Sequence, residues 1–285
     1  MSLNTLRLRS LLAMGAIAAW GIVESITFAG IMTMVEVGGL LFIAAVGFAY
    51  EPAAVERIAD IVPPLTSPAI WVGIVSAGML AVFAFIGFEG IVNLAEEMRQ
   101  PRRDLPRAIL LTLAITTVLY IAVMWVSLAA LGPETLGATK APLASVFEKL
   151  TGWPPTVMAA IAIVATLNGI IASIILAARI CYGMAKRGDF PEVFARISPL
   201  TRTPLMGTAL ITAVVLVLAL AVPLEGLADI SSQMTLVMFG SVNLALVAIK
   251  WREPSPPAGI FATPMAVPVA GFIATLAFLA VDIAL

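Results

Sequence analysis

Long apolar stretches, separated by short charged segments, run the length of this chain. Six of these stretches contain no Asp, Glu, Lys or Arg: residues 61–88, 108–133, 150–178, 203–224, 230–249 and 254–281. Each is at least as long as the roughly 20 residues with which a helix crosses a bilayer. Apolar and polar residues do not alternate with period two, so helices are favoured over membrane-spanning strands.

The first fifty residues predict two further helices. After Arg9, only Glu24 and Glu36 interrupt the apolar sequence of this region, which predicts helices at about 8–23 and 27–48. The pattern therefore predicts an all-α integral membrane protein with about eight transmembrane helices.

Composition supports the same class and excludes several functions. The chain is 61% hydrophobic and 12% charged, with a mean hydropathy of +1.07, whereas about a quarter of the residues in a soluble domain are charged. Cys181 is the single cysteine and histidine is absent, which excludes disulfide frameworks, Cys/His zinc sites and histidine catalysis. We predict no metal or cofactor. The net charge of −1 offers no basic face for nucleic acid.

Basic residues are distributed unevenly between alternate loops. Segments 93–107, 184–204 and 250–263 contain ten Lys and Arg residues, against three in the opposite loops. The positive-inside rule places the ten in the cytoplasm. We expect a multi-pass protein of the cytoplasmic membrane. Eight spans counted back from there leave Arg7 and Arg9 outside, against the same rule. We therefore expect this chain to be the later part of a longer protein.

A charged, glycine-flanked interruption stands out near the end of the stretch 61–88. Glu89 lies between Gly87 and Gly90, and a carboxylate so close to membrane depth indicates a functional site. Paired glycines lower the cost of unwinding a helix. Broken helices of this kind hold the substrate in secondary transporters.

Four segments together resemble amino acid permeases of the amino acid, polyamine and organocation superfamily. FAFIGFEGIVNLAEEMRQPRRDLPRA, from Phe83, is similar to the family's sixth helix and the loop after it. The segments from Ala177 to Pro204 and from Thr235 to Pro254 resemble the end of the eighth helix and the tenth. Residues 21–41 resemble the junction of the fourth and fifth.

The resemblance implies a partial five-plus-five inverted-repeat fold with a broken helix near 83–90. Residues 1–50 would be the end of the first repeat, family helices four and five. Residues 61–250 would be the second repeat, helices six to ten, and 264–285 helix eleven. All would belong to one membrane domain, 1–285, that lacks the first three family helices and the last.

The same resemblance implies substrate-binding residues at the break. Phe83 corresponds to the aromatic residue that closes over substrate, and its ring face can attract an ammonium group. Residues 84–88 would be unwound and present backbone groups to the substrate; Ala84, Phe85, Ile86 and Gly87 are thus the predicted binding residues. The alternatives are a packing role for Phe83 and an intact helix whose glycines allow close packing.

Glu89 and Glu36 are the candidates for gating or proton coupling. Either carboxylate could load and release a proton as the site alternates between wet and dry states. Each could instead be structural and hydrogen bonded to a neighbouring helix. Glu36 lies where some relatives of the family carry a lysine thought to replace a sodium ion, so that mechanism does not transfer. Asn168 and Ser173 predict a polar path on the eighth family helix, or contacts that hold helices together.

The predicted function is secondary transport of amino acids or related amines by alternating access, by proton symport or exchange. The partners would be a small-molecule substrate, protons and the lipid bilayer, and the oligomeric state stays open. An enzyme is disfavoured because catalytic patterns such as HExxH and GxSxG are missing. The other alternative is a truncated, non-transporting fragment or an accessory subunit that needs a partner to supply the missing helices.

Overall fold

The structure is a computed structural model that describes residues 3–20, 22–50, 68–253, 255, 259 and 261–284. These residues are almost entirely helical and contain no strand. Part of the first predicted stretch, 61–67, lies outside them, and so does the side chain of Glu24.

Ten α-helices and two 3₁₀ helices make up the described chain. The α-helices are α1 Leu3–Trp20, α2 Ile22–Tyr50, α3 Pro68–Phe85, α4 Pro101–Leu131, α5 Pro133–Ala138, α6 Pro142–Thr151, α7 Thr156–Arg187, α8 Leu205–Ala221, α9 Leu224–Arg252 and α10 Ala266–Ala284. The 3₁₀ helices are Phe88–Glu97 and Glu192–Ala195.

Several of these helices have the length and apolarity that a membrane span needs. Four are long and apolar enough: Ala29–Tyr50, Pro101–Leu131, Thr156–Arg187 and Gly226–Arg252. Shorter apolar segments are Leu80–Val92, Leu205–Ala221 and Ala266–Val281. The predicted all-α multi-pass membrane protein is therefore confirmed, while the figure of about eight spans stays a prediction.

Helix contacts divide the chain into two compact units. The first consists of residues 1–57 and 118–222, and the second of residues 58–117 and 223–285. In the first unit α7 is central, since it packs against α1, α2, α6 and α8. In the second unit α9 packs against α3 and α10. The prediction that residues 1–285 form one membrane domain is not tested by this division.

The first unit has two buried clusters along α7. One contains Ile43, Val126, Phe147 and Met158, so it joins α2, α4, α6 and α7. The other joins α1 to α7 through Met14, Ala18, Ile171 and Ile174. Next to the first cluster, Gly47 of α2 is buried and lies directly against Val126 of α4, because a Cβ atom at Gly47 would overlap the Val126 methyl groups. This glycine is what lets the two helices approach so closely.

Seven hydroxyl groups within the described helices are satisfied by their own helix. Each donates to the carbonyl oxygen four residues earlier, which removes the need for water inside a membrane. The residues that do so are Ser127, Thr151, Thr166, Thr208, Thr212, Ser231 and Ser241.

Candidate functional site

The predicted interruption after Phe83 is present, and it is sharper than expected. Helix α3 continues through Ala84 and ends at Phe85; Ile86 and Gly87 form a turn, and a 3₁₀ helix begins at Phe88. The backbone at 84–85 is thus helical and not unwound, a correction to the prediction for 84–88. Gly87 has φ +128°, a conformation that residues with a Cβ rarely adopt. A glycine at this position allows the chain to leave the α-helix within two residues.

The side chain of Glu89 hydrogen bonds to the backbone of the turn at Gly87. One carboxylate oxygen of Glu89, Oε2, accepts a hydrogen bond of 2.8 Å from the backbone N–H of Gly87. That N–H is one of the donors that lose a helical partner where a helix breaks. The half-buried carboxylate therefore has a structural role at the break, and a role in gating or proton coupling stays a prediction.

The other residues of the break differ in exposure. Phe83 is 41% exposed. Ala84 is also exposed, and Phe85 and Ile86 are half-buried. Beyond the turn, the ring of Phe88 contacts that of Phe239 in α9, with centroids 5.6 Å apart. This ring contact joins the start of the 3₁₀ helix to α9 within the second unit.

Two of the predicted polar residues, Glu36 and Asn168, meet between α2 and α7. The amide nitrogen of Asn168, Nδ2, donates to Oε1 of Glu36 at 2.8 Å and to the hydroxyl oxygen of Thr33 at 3.2 Å. Asn168 is only 7% exposed, and Glu36 is half-buried. These bonds cross from one helix to another, unlike those of the hydroxyl groups listed above.

Ser173 does not join this cluster. It lies five residues after Asn168, which turns it about 140° around the helix axis, and its side chain is exposed. The predicted polar path on α7 is therefore not one continuous stripe. Thr33, in contrast, is a member that sequence inspection missed, although its position three residues before Glu36 puts it on the same face of α2.

Comparison with known sequences identifies the family of this chain. The amino acid permease family model matches residues 10–284. The chain is 30% identical, over 82% of its length, to the vacuolar cationic amino acid transporter 4 of Arabidopsis thaliana, and covers 39% of that protein.

Two further relatives come from a mammal and a bacterium. Human cationic amino acid transporter 4 is 31% identical over 65% of this chain, which covers 29% of it. The branched-chain amino acid permease of Bacillus subtilis is 25% identical over 65%, with 40% of its length covered. The chain thus spans at most about two fifths of these proteins, whose names are those of transporters and permeases rather than enzymes. With a family model that matches nearly all of it, this chain belongs to the amino acid permease family.

Proposed function

We propose that the chain functions in secondary transport of amino acids or related amines across the cytoplasmic membrane. The observation that carries the proposal is family membership over residues 10–284. The helix break at Gly87 supports it, because such breaks present backbone hydrogen-bonding groups to substrate at membrane depth. Alternating access around this break, by proton symport or exchange, is the mechanism that we propose.

The substrate class follows from the relatives. Their names divide between cationic and branched-chain amino acids, so an α-amino acid is the common element. We propose that Phe83 covers the bound amino acid beside the turn at Ile86 and Gly87, whose N–H groups are bonded within the chain to Phe83 and Glu89 in this structure. Phe83 is 41% exposed, and an aromatic ring can attract an ammonium group.

The test is uptake of radiolabelled arginine and leucine into proteoliposomes that contain the chain. Phe83→Ala is expected to raise KM by about 2- to 30-fold, the equivalent of about 0.5–2 kcal/mol of cation–π attraction. Leu80→Ala is the matched control, since Leu80 lies one turn earlier in α3 and is 66% exposed. Equal effects of the two substitutions on KM would contradict a substrate contact by Phe83.

The same assay separates transport by this chain from the fragment or accessory-subunit alternative. Uptake by the chain alone supports the proposal. If uptake requires co-expression with the part of a relative that lies outside the match, the chain contributes to a transporter but does not transport by itself. If neither arrangement takes up arginine or leucine, the proposed function is wrong for these substrates.

Glu89 offers a second test, because two substitutions separate its charge from its hydrogen bond. In Glu89→Gln the side-chain oxygen can still accept from Gly87 N–H, whereas in Glu89→Leu it cannot. If Glu89 carries a proton during transport, Glu89→Gln is expected to flatten the pH profile of uptake without unfolding the protein. The pH profile of Glu89→Gln could instead be identical to that of the unmodified chain, while Glu89→Leu loses uptake. Glu89 would then act only through its hydrogen bond to the turn.

A further inference from the structure

A groove runs along the surface of the first unit, where α1 packs against α8. Its volume is about 480 Å³, within the range of small-molecule sites. The two helices approach closely at Gly15, where an added Cβ atom would lie 2.6 Å from the side chain of Thr212. Ala16 of α1 and Ala209 of α8, which line the groove on either side of this contact, are exposed. The groove is therefore open along its length to whatever surrounds these helices.

The walls of the groove are apolar. Among the described residues that line it, none is charged, and the two that carry hydroxyl groups are Thr208 and Thr212. Each hydroxyl donates to the carbonyl oxygen four residues earlier in the chain, so its hydrogen is already used. Lipid chains are as apolar as a leucine side chain, and a ligand of this kind suits such walls.

The length of the groove corresponds to one leaflet of a bilayer. On α8 its lining runs from Leu205, the first residue of the helix, to Leu216. This part of the helix is about 16 Å long, about half of the 30 Å of the hydrocarbon core. A second helix, about 10 Å in diameter, would occupy about 1,200 Å³ over the same length, more than twice the volume of the groove. An acyl chain is thinner and stays within one leaflet, so it fits both dimensions.

A basic side chain lies at the end of the groove where α8 begins. Thr208 lines both the groove and a smaller adjoining cavity of about 10 Å³, which the half-buried Arg179 of α7 lines as well. Thr203, at the same cavity, donates to the carbonyl oxygen of Ala19 at 3.1 Å and ties the loop before α8 to the end of α1. The small cavity has room for one water molecule at most, so a larger anion would lie beside it. A guanidinium group has five N–H donors and can bind a phosphate while it keeps another contact.

The chain around this end of the groove is basic as a whole. The segment from Arg179 to Pro204 contains five basic and two acidic residues, and one of the basic residues, Arg202, is exposed beside Thr203. The positive-inside rule places such a segment in the cytoplasm, where the leaflet is rich in anionic lipids and basic pockets between helices bind their headgroups. An apolar groove in a bilayer meets lipid chains of every kind, so this charge is what would select among them.

We propose that the groove between α1 and α8 is a binding site for an anionic phospholipid of the cytoplasmic leaflet. One acyl chain lies in the groove against Ala16 and Ala209, and the phosphate lies beside Arg179. The bound lipid contacts α1, α7 and α8 at once and stabilises their packing at this end. The proposal does not rest on the proposed transport function, because lipid binding is measured without a transported substrate.

The experiment is native mass spectrometry of the purified chain after incubation with equal amounts of phosphatidylglycerol and phosphatidylcholine in detergent. We expect phosphatidylglycerol to stay bound in preference to phosphatidylcholine. Ala209→Phe places a ring in the groove and should abolish this binding, and Ala16→Phe should do the same if the first variant does not fold. Val214→Phe is the matched control, since Val214 is 45% exposed, does not line the groove and lies about 140° around α8 from Ala209. This control should keep the lipid.

The same measurement tests the charge of Arg179. Arg179→Gln should lower the preference for phosphatidylglycerol over phosphatidylcholine by about fivefold, the equivalent of about 1 kcal/mol for one basic residue near anionic lipid. Arg179→Lys keeps the charge and should retain most of the preference. Arg187→Gln removes the same charge from an exposed position two turns further along α7, and should leave the preference unchanged.

Several results would overturn the proposal. The first is equal binding of the two lipids by the unmodified chain, and the second is equal amounts of bound lipid in Ala209→Phe and Val214→Phe. A dimer that Ala209→Phe dissociates would show that a second copy of the chain occupies the groove. Loss of the lipid on co-expression with the part of a relative that lies outside the match would show that another helix covers it.

Discussion

Among glycine-to-alanine substitutions, Gly87→Ala is expected to cause the largest loss of uptake. The backbone of Gly87 has φ +128°, and holding alanine there costs on the order of 1–3 kcal/mol. No atom lies within 4 Å of the position of the new Cβ, so the cost would come from the backbone and not from a collision. If uptake requires this turn, the rate should fall by roughly 5- to 150-fold.

Gly73→Ala is the control for this substitution. Gly73 lies in the same helix, α3, and likewise has nothing within 4 Å of an added Cβ, but its backbone is helical. Alanine should be tolerated or favoured there. Uptake by proteoliposomes, corrected for the amount of folded protein, is the measurement. Equal rates in the Gly87 and Gly73 variants would show that transport does not depend on the observed turn.

Gly47→Ala is expected to produce the largest loss of stability. In an open helix this change would stabilise by up to about 1 kcal/mol. Here the new Cβ would overlap the side chain of Val126, which is only 3% exposed. Overpacking of a buried contact costs about 1–3 kcal/mol, so the thermal midpoint of the purified protein in detergent should fall.

The Gly47 prediction can be checked by making room for the added methyl group. Val126→Ala removes the overlapping atoms, and by itself should also destabilise because it leaves a cavity. The double variant Gly47→Ala/Val126→Ala should therefore be more stable than the sum of the two single effects predicts. Gly38→Ala, in the same helix but with nothing within 4 Å of the Cβ, should not lower the midpoint. Strict additivity in the double variant would rule out a direct contact.

The sequence predicted the apolar parts of the helices better than their ends. Charged residues are excluded from lipid, so an uncharged run marks the portion in the membrane and not the limit of helical hydrogen bonding. The predicted stretch 150–178 ends before Arg179, whereas α7 continues to Arg187. Likewise 230–249 lies within a helix that begins at Leu224 and ends at Arg252.

The site was predictable where its signal is local. The glycine at position 87 and the nearby carboxylate indicated the break, because backbone conformation depends on the residues at that point. The pairing of Glu36 with Asn168 could not be predicted, since the two residues are 132 positions apart in sequence. Their contact depends on how α2 and α7 are rotated about their axes, which the packing of many apolar side chains decides.

The length of α7 affects the segment that follows it. At 32 residues, this helix is about 48 Å long, whereas the hydrocarbon core of a bilayer is about 30 Å thick. If Arg179 marks the level of the lipid headgroups, the last eight residues of the helix extend about 12 Å beyond that level. Gly188 ends the helix, and its N–H is bonded to the carbonyl oxygens of the last turn. The segment after Gly188 would then begin about 12 Å from the headgroup level.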